Sequence, residues 1–140
     1  MGKIAVIYWS GTGNTEKMAF AVAEGAKGKG GEVDIFEAAG FNASLMPAYE
    51  AFALGCPSMG AEVLEESEFQ PMYDSIKNDL SDKKVVLFGS YGWGDGEWMR
   101  NWEEEVRSLG ANLLSEGLII NEEPDNEGLA SCKALGESLL

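Results

Sequence analysis

The chain has 140 residues, and its 24 acidic side chains against 10 basic ones give a formal net charge of −14. This length suits one domain with a sizeable core. The negative charge argues against nucleic acid and anionic membrane surfaces as partners, and no apolar stretch approaches the roughly 20 residues of a membrane span. No leader sequence is visible, and Cys56 and Cys132 form no close motif. We therefore expect a cytoplasmic protein with reduced thiols.

The first half of the chain alternates strand-like and helix-like patterns. An apolar run predicts a strand at residues 3–9, and apolar residues spaced along one helical face predict a helix at 14–27. Apolar residues alternate with acids at 32–37, which is typical of a half-buried strand near a sheet edge. A short helical turn is predicted at 42–49, followed by a brief apolar strand at 51–55.

The second half continues the same alternation. A helix is predicted at 69–80, and the apolar run at 84–89 is the least ambiguous buried strand of the chain. A further helix at 98–109, a fifth strand at 117–121 and a closing helix at 126–140 complete the pattern. Each of these helices repeats its apolar residues every three or four positions.

Five strands that alternate with helices and are joined by short loops predict an α/β fold. The sheet should be parallel and doubly wound, with helices on both faces in a three-layer sandwich. No linker, repeat or low-complexity tract divides the chain, so residues 1–140 form a single predicted domain. Ligands of such sheets bind beyond the carboxyl ends of the strands. We therefore expect the loops after the first, third and fourth strands to meet at one site.

The loop after the first strand has the composition of an anion site. It contains hydroxyls, an amide and two glycines, in the order Ser10-Gly11-Thr12-Gly13-Asn14-Thr15. A helix N-terminus that follows such a loop presents free N–H groups and the positive end of the helix dipole to an anion. A P-loop would need a lysine that Lys17 is too distant to supply, and a dinucleotide fingerprint would need glycine where Glu16 stands. The alternative is an ordinary turn between a strand and a helix.

The other two loops also contain glycines, and the second of them places an aromatic side chain between two glycines. The loop at 55–62 contains Met59 and Gly60, and the loop at 89–98 places Trp93 between Gly92 and Gly94. An indole in a loop of this kind usually faces a ligand or a partner. Its alternative position is against the helix that begins near Trp98.

The three loops together resemble those of short-chain flavodoxins of the clostridial type. The matching motifs are Ser10-Gly11-Thr12-Gly13-Asn14-Thr15, Met59-Gly60-Ala61-Glu62 and Tyr91-Gly92-Trp93-Gly94-Asp95-Gly96. The resemblance implies a flavodoxin-like sheet of order 2-1-3-4-5 with FMN at the switch point between strands one and three. It also implies a low-potential electron carrier, not an enzyme, which passes single electrons on non-covalently bound FMN between semiquinone and hydroquinone.

The resemblance assigns a role to each site residue. The phosphate would be held by the side chains of Ser10, Thr12, Asn14 and Thr15 and the N–H groups of Gly11 and Gly13, with Ser90 as a further donor. Met59 would cover the inner face of the flavin and Trp93 the outer face. The ring edge would meet Glu62 at N3–H and the N–H groups of Gly92 and Gly94 near O2 and N1, in the motif that Tyr91 opens.

Gly60 would control the response to reduction. The resemblance implies that the Met59–Gly60 carbonyl turns to accept a hydrogen bond from flavin N5–H, and a glycine with positive φ permits that turn. Two departures from the family pattern bear on this region. Pro57 removes a hydroxyl that some relatives carry, and Ala61 offers no polar contact.

The acidic side chains in the loops would affect both the reduction potential of the flavin and the choice of redox partners. Five carboxylates lie in or beside the site loops: Glu62, Glu65, Glu66, Asp95 and Glu97. They would disfavour the anionic reduced flavin and steer redox proteins with basic surfaces toward a monomeric carrier. Two alternatives remain open: an FMN-dependent quinone or nitro-compound reductase, and a flavin-free signalling receiver. The receiver would need an aspartate where Cys56 stands.

Overall fold

One parallel sheet with helices on both faces forms the structure, a computed structural model that describes residues 3–60, 62–92 and 94–140. Six strands belong to the sheet: β1 Lys3–Tyr8, β2 Glu32–Glu37, β3 Tyr49–Gly55, β4 Lys84–Tyr91, β5 Asn112–Leu113 and β6 Leu118–Asn121. Three α-helices lie between strands, α1 Asn14–Gly28, α2 Phe69–Ile76 and α3 Glu97–Ser108, and α4 Asn126–Glu137 follows the last strand. None of the described helices is long and apolar enough to cross a bilayer.

The strand order is β2-β1-β3-β4, with β5 and β6 together on the free edge of β4. The predicted order 2-1-3-4-5 is confirmed, but the fifth position is interrupted. Asn112 in β5 pairs with Lys84 at the start of β4, and Leu118 in β6 pairs with Phe88 near its end. The predicted strand at 117–121 corresponds to β6. The two-residue β5 is too short to produce an alternating pattern in the sequence.

The other differences from prediction lie at element ends. The predicted helix at 69–80 ends at Ile76 and continues as a 3-10 turn over Lys77–Asp79. The helical turn at 42–49 is a 3-10 turn over Ala43–Ala48, and β3 begins two residues earlier than predicted. β4 extends through Ser90 to Tyr91, two residues further than predicted. Ser90 and Tyr91 are therefore placed by the sheet itself rather than by a loop.

The sheet separates two apolar cores. Successive side chains of a strand point to opposite faces, so Ala5 and Ile7 of β1 pack with α2 and α3, while Val6 and Tyr8 pack with α1 and α4. The side of α2 and α3 contains most of the aromatic residues, whereas the side of α1 and α4 is built largely from alanines and small aliphatic residues.

Two glycines bring α1 and α4 into backbone contact. A Cβ atom added to Gly25 of α1 would lie 2.0 Å from the carbonyl oxygen of Lys133, and one added to Gly136 of α4 would lie 1.9 Å from the carbonyl oxygen of Val22. Real Cβ atoms do not approach this closely, so any side chain would separate the helices. The alanine-rich core between them depends on this approach.

We therefore predict that Gly136→Ala lowers the free energy of unfolding by about 2–4 kcal/mol, because the added methyl group overpacks the helix contact. The matched control is Gly28→Ala in the last turn of α1, where an added Cβ meets nothing within 4 Å. That control should be neutral or stabilising by roughly 0.5 kcal/mol, since alanine has the higher helix propensity. Urea denaturation of the three proteins measures both values. Equal changes in the free energy of unfolding for the two substitutions would contradict the proposed role of the backbone contact between α1 and α4.

Candidate functional site

A cavity of about 460 Å³ lies at the carboxyl edge of the sheet, where β1, β3 and β4 end. Nine residues predicted for the site line it: Ser10, Gly11, Thr12, Asn14, Thr15, Met59, Ser90, Tyr91 and Gly92. The predicted residues Gly13, Gly60, Glu62 and Gly94 are not part of its lining but lie in the adjoining turns. Ala61 and Trp93 lie outside the described residues. The three loops therefore meet around one cavity.

Five lining residues carry no predicted role: Trp9, Pro57, Ser58, Glu122 and Glu123. The two glutamates follow β6, whose carboxyl end lies at the same edge of the sheet as the other strand ends. In a parallel sheet the residues that follow each strand lie at the same edge, so the predicted fifth strand is enough to place these two glutamates there. Trp9 follows β1 directly and is half-buried.

The loop before α1 is arranged to bind an anion. Gly13 has φ +95°, which turns the chain into the helix. Within the described part of the chain, the N–H groups of Gly11, Thr12 and Thr15 have no hydrogen-bond acceptor. Free N–H groups at the start of a 15-residue helix attract an anion through both hydrogen bonds and the helix dipole.

The hydroxyl of Ser10 completes this loop. Its oxygen accepts the N–H of Gly13 at 3.0 Å and the N–H of Glu16 at 3.3 Å. With both lone pairs occupied in this way, the hydroxyl hydrogen is the part of Ser10 that remains to be donated. Ser10 thus supports the turn as an acceptor and can meet a phosphate oxygen as a donor.

A buried pair of hydroxyls joins the first loop to β4. Thr15 and Ser90 are both buried, with their side-chain oxygens 3.2 Å apart, and the N–H of Ser90 donates to Thr15 at 3.3 Å. On the other side of β4, Ser58 donates its N–H to the carbonyl of Ser90 at 3.0 Å. These contacts hold the ends of α1, β3 and β4 in a fixed relation around the cavity.

No lysine or arginine is among the described residues that line the cavity, and its charged lining residues are Glu122 and Glu123. The nearest helix cation, Lys17, is in contact with Glu123, and that ion pair lowers the pKa of the Glu123 carboxyl. Arg100 is likewise paired with Asp95, at 3.0 Å. An anion in the loop would therefore be held by neutral donors.

The turn after Met59 is closed by two backbone hydrogen bonds. The N–H of Met59 donates to the carbonyl of Val63 at 2.9 Å, and the N–H of Val63 donates to the carbonyl of Met59 at 3.1 Å. Gly60 and Glu62 inside the turn have φ of +44° and +56°. The Met59 carbonyl, which the sequence predicts to turn toward flavin N5, accepts the N–H of Val63 in this structure.

Glu62 connects this turn to the loop before α3. Its carboxylate oxygen accepts the N–H of Gly96 at 3.3 Å. A Cβ atom added to Gly94 would lie 2.4 Å from the same oxygen, so a side chain at this position would require the Glu62 carboxylate to move. In this structure the carboxylate predicted to meet flavin N3–H therefore lies against the neighbouring loop.

The buried carboxylate of Glu65 forms the N-terminal cap of α2. It accepts the N–H groups of Ser67, Glu68 and Phe69 at 2.7–2.9 Å and also the hydroxyl of Ser67. Burial acts to raise the pKa of this carboxyl, but the four hydrogen bonds outweigh burial and the pKa is lowered. Glu65 therefore has a structural role that its place in an acidic stretch of sequence does not reveal.

The two thiols are buried and poorly reactive. Burial is the main reason that the pKa of Cys56 is raised to about 12, although its sulfur also accepts the N–H of Glu65 at 3.3 Å. Burial raises the pKa of Cys132 to about 12 as well. A thiol that stays protonated is neither a nucleophile nor a metal ligand, so both cysteines act as core residues.

Comparison with known proteins decides the family. The family model for flavodoxin matches residues 6–136. A flavodoxin of Clostridium beijerinckii is 45% identical over 134 residues, with 96% of each chain covered. The chain belongs to the flavodoxin family. It is 42% identical to a flavodoxin of Megasphaera elsdenii, over 96% of each chain.

Solved structures of flavodoxins agree with this assignment. The solution structure of two-electron reduced Megasphaera elsdenii flavodoxin superposes with a TM-score of 0.89 at 41% identity, over 97% of each chain. A flavodoxin from the domain Archaea superposes with a TM-score of 0.88 at 26% identity, over 98% of this chain and 95% of the other. Flavodoxins bind FMN and carry electrons, so this protein is an FMN-binding electron carrier rather than an enzyme. These flavodoxin relatives give no support to the reductase alternative.

From the Glu65 cap we predict that Glu65→Gln lowers the free energy of unfolding at pH 7 by about 1–3 kcal/mol, since an amide replaces a charged acceptor of several hydrogen bonds. A carboxyl whose pKa is lowered by folding stabilises the protein above its ordinary pKa, and that contribution is lost as the pH falls through the folded value. The stability difference between the two proteins should therefore shrink below about pH 4.5. Urea denaturation at several pH values measures it. Glu66→Gln, at the exposed neighbouring position, is the control and should change little.

Proposed function

We propose that the cavity at the carboxyl edge holds FMN with its phosphate at the loop before α1. The single observation that carries this proposal is the group of N–H donors at Gly11, Thr12 and Thr15, which lack acceptors in the described structure and lie just before α1 or in its first turn. Ser10 adds a hydroxyl, and Thr12, Asn14 and Ser90 also line the cavity. This donor set matches the oxygens of a phosphate and needs no cation.

The remaining walls suit a flat ring. Met59 and Tyr91 provide apolar and aromatic surface, and the thioether of methionine packs well against a π-system. The volume of about 460 Å³ falls within the range of small-molecule sites. We assign Met59 to the inner face of the ring, and the backbone N–H of Gly92 to its polar edge. Trp93 stays a sequence-based prediction for the outer face.

FMN supplies reversible one-electron chemistry, and the protein sets the reduction potential of each step. The carbonyl of Gly60 is the proposed acceptor for the hydrogen that flavin N5 gains on reduction, because the Met59 carbonyl is already bonded to Val63. A hydrogen bond made only after reduction favours the first electron. A net value of about 1 kcal/mol corresponds to roughly 40 mV in a one-electron couple.

The charges at this edge oppose the second electron and select partners. Exposed carboxylates lie beyond the strand ends, in the loops at Glu66, Asp95, Glu122 and Glu123 and at the start of α3 at Glu97. At about 10 Å each would disfavour an added negative charge by roughly 0.4 kcal/mol in water. The same carboxylates attract cations, so we propose redox partners with basic docking surfaces and a monomeric carrier. Two free buried thiols support a reducing compartment, which we propose to be the cytoplasm.

We predict that Ser10→Ala raises the dissociation constant of FMN at least tenfold, about 1.4 kcal/mol, because a phosphate donor and a support of the loop are both removed. Riboflavin, which lacks the phosphate, should bind to Ser10→Ala within twofold of its affinity for the unchanged protein. Flavin fluorescence titration measures both ligands. Ser115→Ala, at an exposed position far along the chain, is the control. An equal loss for riboflavin would place the phosphate elsewhere.

For the acidic edge we predict that a triple variant, Glu66→Gln, Glu97→Gln and Glu122→Gln, oxidises at least threefold more slowly with hexaammineruthenium(III) at low salt. Oxidation of the same reduced protein by ferricyanide should become faster, since the oxidant is an anion. Stopped-flow absorbance gives both rate constants. Their ratio cancels any shared effect of a changed potential. If the ratio of the two rate constants equalled that of the unchanged protein, these residues would have no role in steering partners.

A further inference from the structure

A second cavity adjoins the cofactor cavity on the side of β2. This β2-side cavity has a volume of about 640 Å³ and lies beyond the carboxyl ends of β1 and β2. Trp9 and Ser10 line both cavities. A Cβ atom added to Gly11 would lie 3.1 Å from the six-membered ring of Trp9, so this indole stands next to the phosphate loop. Trp9 is therefore the wall between the two cavities.

The charged side chains that line the described part of the β2-side cavity are both acidic. They are Glu37, at the end of β2, and Glu68, just before α2, and both are exposed. The indole N–H of Trp9 donates to the carboxylate of Glu68 at 2.9 Å, which fixes the position of that charge against the ring. Two carboxylates at the edges of an aromatic surface form a site for a planar cation.

A third carboxylate lies next to the lining. The hydroxyl of Tyr8, which lines the β2-side cavity, donates to Glu16 at 2.9 Å. Burial first, then the hydrogen bond to Glu16, and then the charges of Glu16 and Glu37 raise the pKa of Tyr8 to about 12. The field around this cavity is therefore negative from more than one direction. Apart from Ser10 and Gly40, the rest of the lining is aromatic and aliphatic, including Ile35 and Phe36.

We propose that the β2-side cavity receives an arginine side chain from the redox partner, with its guanidinium against Trp9 and between Glu37 and Glu68. This inference rests on the proposed partner with a basic surface and names where one of its residues docks. Arginine fits better than lysine because its planar head stacks on an indole and pairs with carboxylates in two directions. A long aliphatic stem would cover the apolar walls of the cavity.

The shared wall explains what such a contact would achieve. An arginine bound at Trp9 anchors the partner within one side chain of the cofactor cavity, which Trp9 also lines. Electron transfer requires close approach in a defined orientation. Diffuse attraction to the acidic edge brings the partner near, and an anchor beside the cofactor fixes its orientation.

The test titrates the FMN-loaded protein with the peptide acetyl-Gly-Arg-Gly-amide while the indole N–H of Trp9 is followed by ¹H–¹⁵N NMR. We expect a saturable shift of that signal. The analogue with citrulline in place of arginine has nearly the same shape without the charge, and it should bind at least fivefold more weakly. Glu37→Gln should weaken binding of the arginine peptide at least fivefold. Glu97→Gln removes one charge at the same edge but outside the cavity and should change it less than 1.5-fold.

The outcomes separate the docking site from the proposed function. Equal weakening by Glu37→Gln and Glu97→Gln, or equal binding of the citrulline peptide, would overturn the site and leave the general acidic steering intact. The absence of any shift at Trp9 would also overturn it. FMN affinity, measured on the same samples, should be unchanged in Glu37→Gln. Failure of the unchanged protein to bind FMN would instead contradict the proposed function itself.

Discussion

The unsatisfied N–H groups at the start of α1 are the constraint on which the rest of the site depends. An acidic protein that binds an anionic cofactor must overcome repulsion, and it can do so with a lysine or with backbone dipoles. In the proposed binding mode the chain uses dipoles: Gly11, Thr12 and Thr15 offer N–H groups, and the cavity lining contains no cation among its described residues. Backbone donors bind phosphate without adding positive charge next to the flavin. The whole carboxyl edge can therefore remain negative.

Charge is segregated along the strand direction as a consequence of the topology. Strands begin at the opposite edge from the cofactor cavity, and helices end there. Lysines start β1 and β4, and α1 and α3 each have a basic residue in the last turn, Lys27 and Arg107. Cations at helix C-termini are also favoured by the dipole. The cations at the cofactor edge, Lys17 and Arg100, are paired with Glu123 and Asp95. A partner would thus meet a negative end and a mixed end on the same molecule.

The fold was predictable because alternation of strands and helices leaves few topologies, and motif spacing placed three loops at one edge. Strand pairs and hydrogen bonds were less predictable where they depend on residues that are distant in the sequence. The two-residue β5 exists because Asn112 and Leu113 lie beside Lys84 and Val85. No local sequence pattern predicts this pairing. The cap at Glu65 depends in the same way on how the chain turns before α2. Its carboxylate looks like any other in an acidic stretch until the turn brings the N–H groups of Ser67, Glu68 and Phe69 around it.

The contacts that the sequence predicts poorly lie where the loop after β3 meets the loop before α3. Glu62 has an apparent role toward the ring from its motif, yet its carboxylate accepts the N–H of Gly96 across the gap between two loops. A carboxylate with one backbone partner can exchange it for another of similar strength, because both states satisfy the charge. The hydroxyls of Thr15 and Ser90 are held more firmly, since both side chains are buried and in contact with each other where they line the cavity. The proposed binding mode thus combines a rigid phosphate end with a ring end whose polar contacts can be exchanged. In that binding mode the cofactor would be anchored firmly while its redox-active edge could respond to reduction.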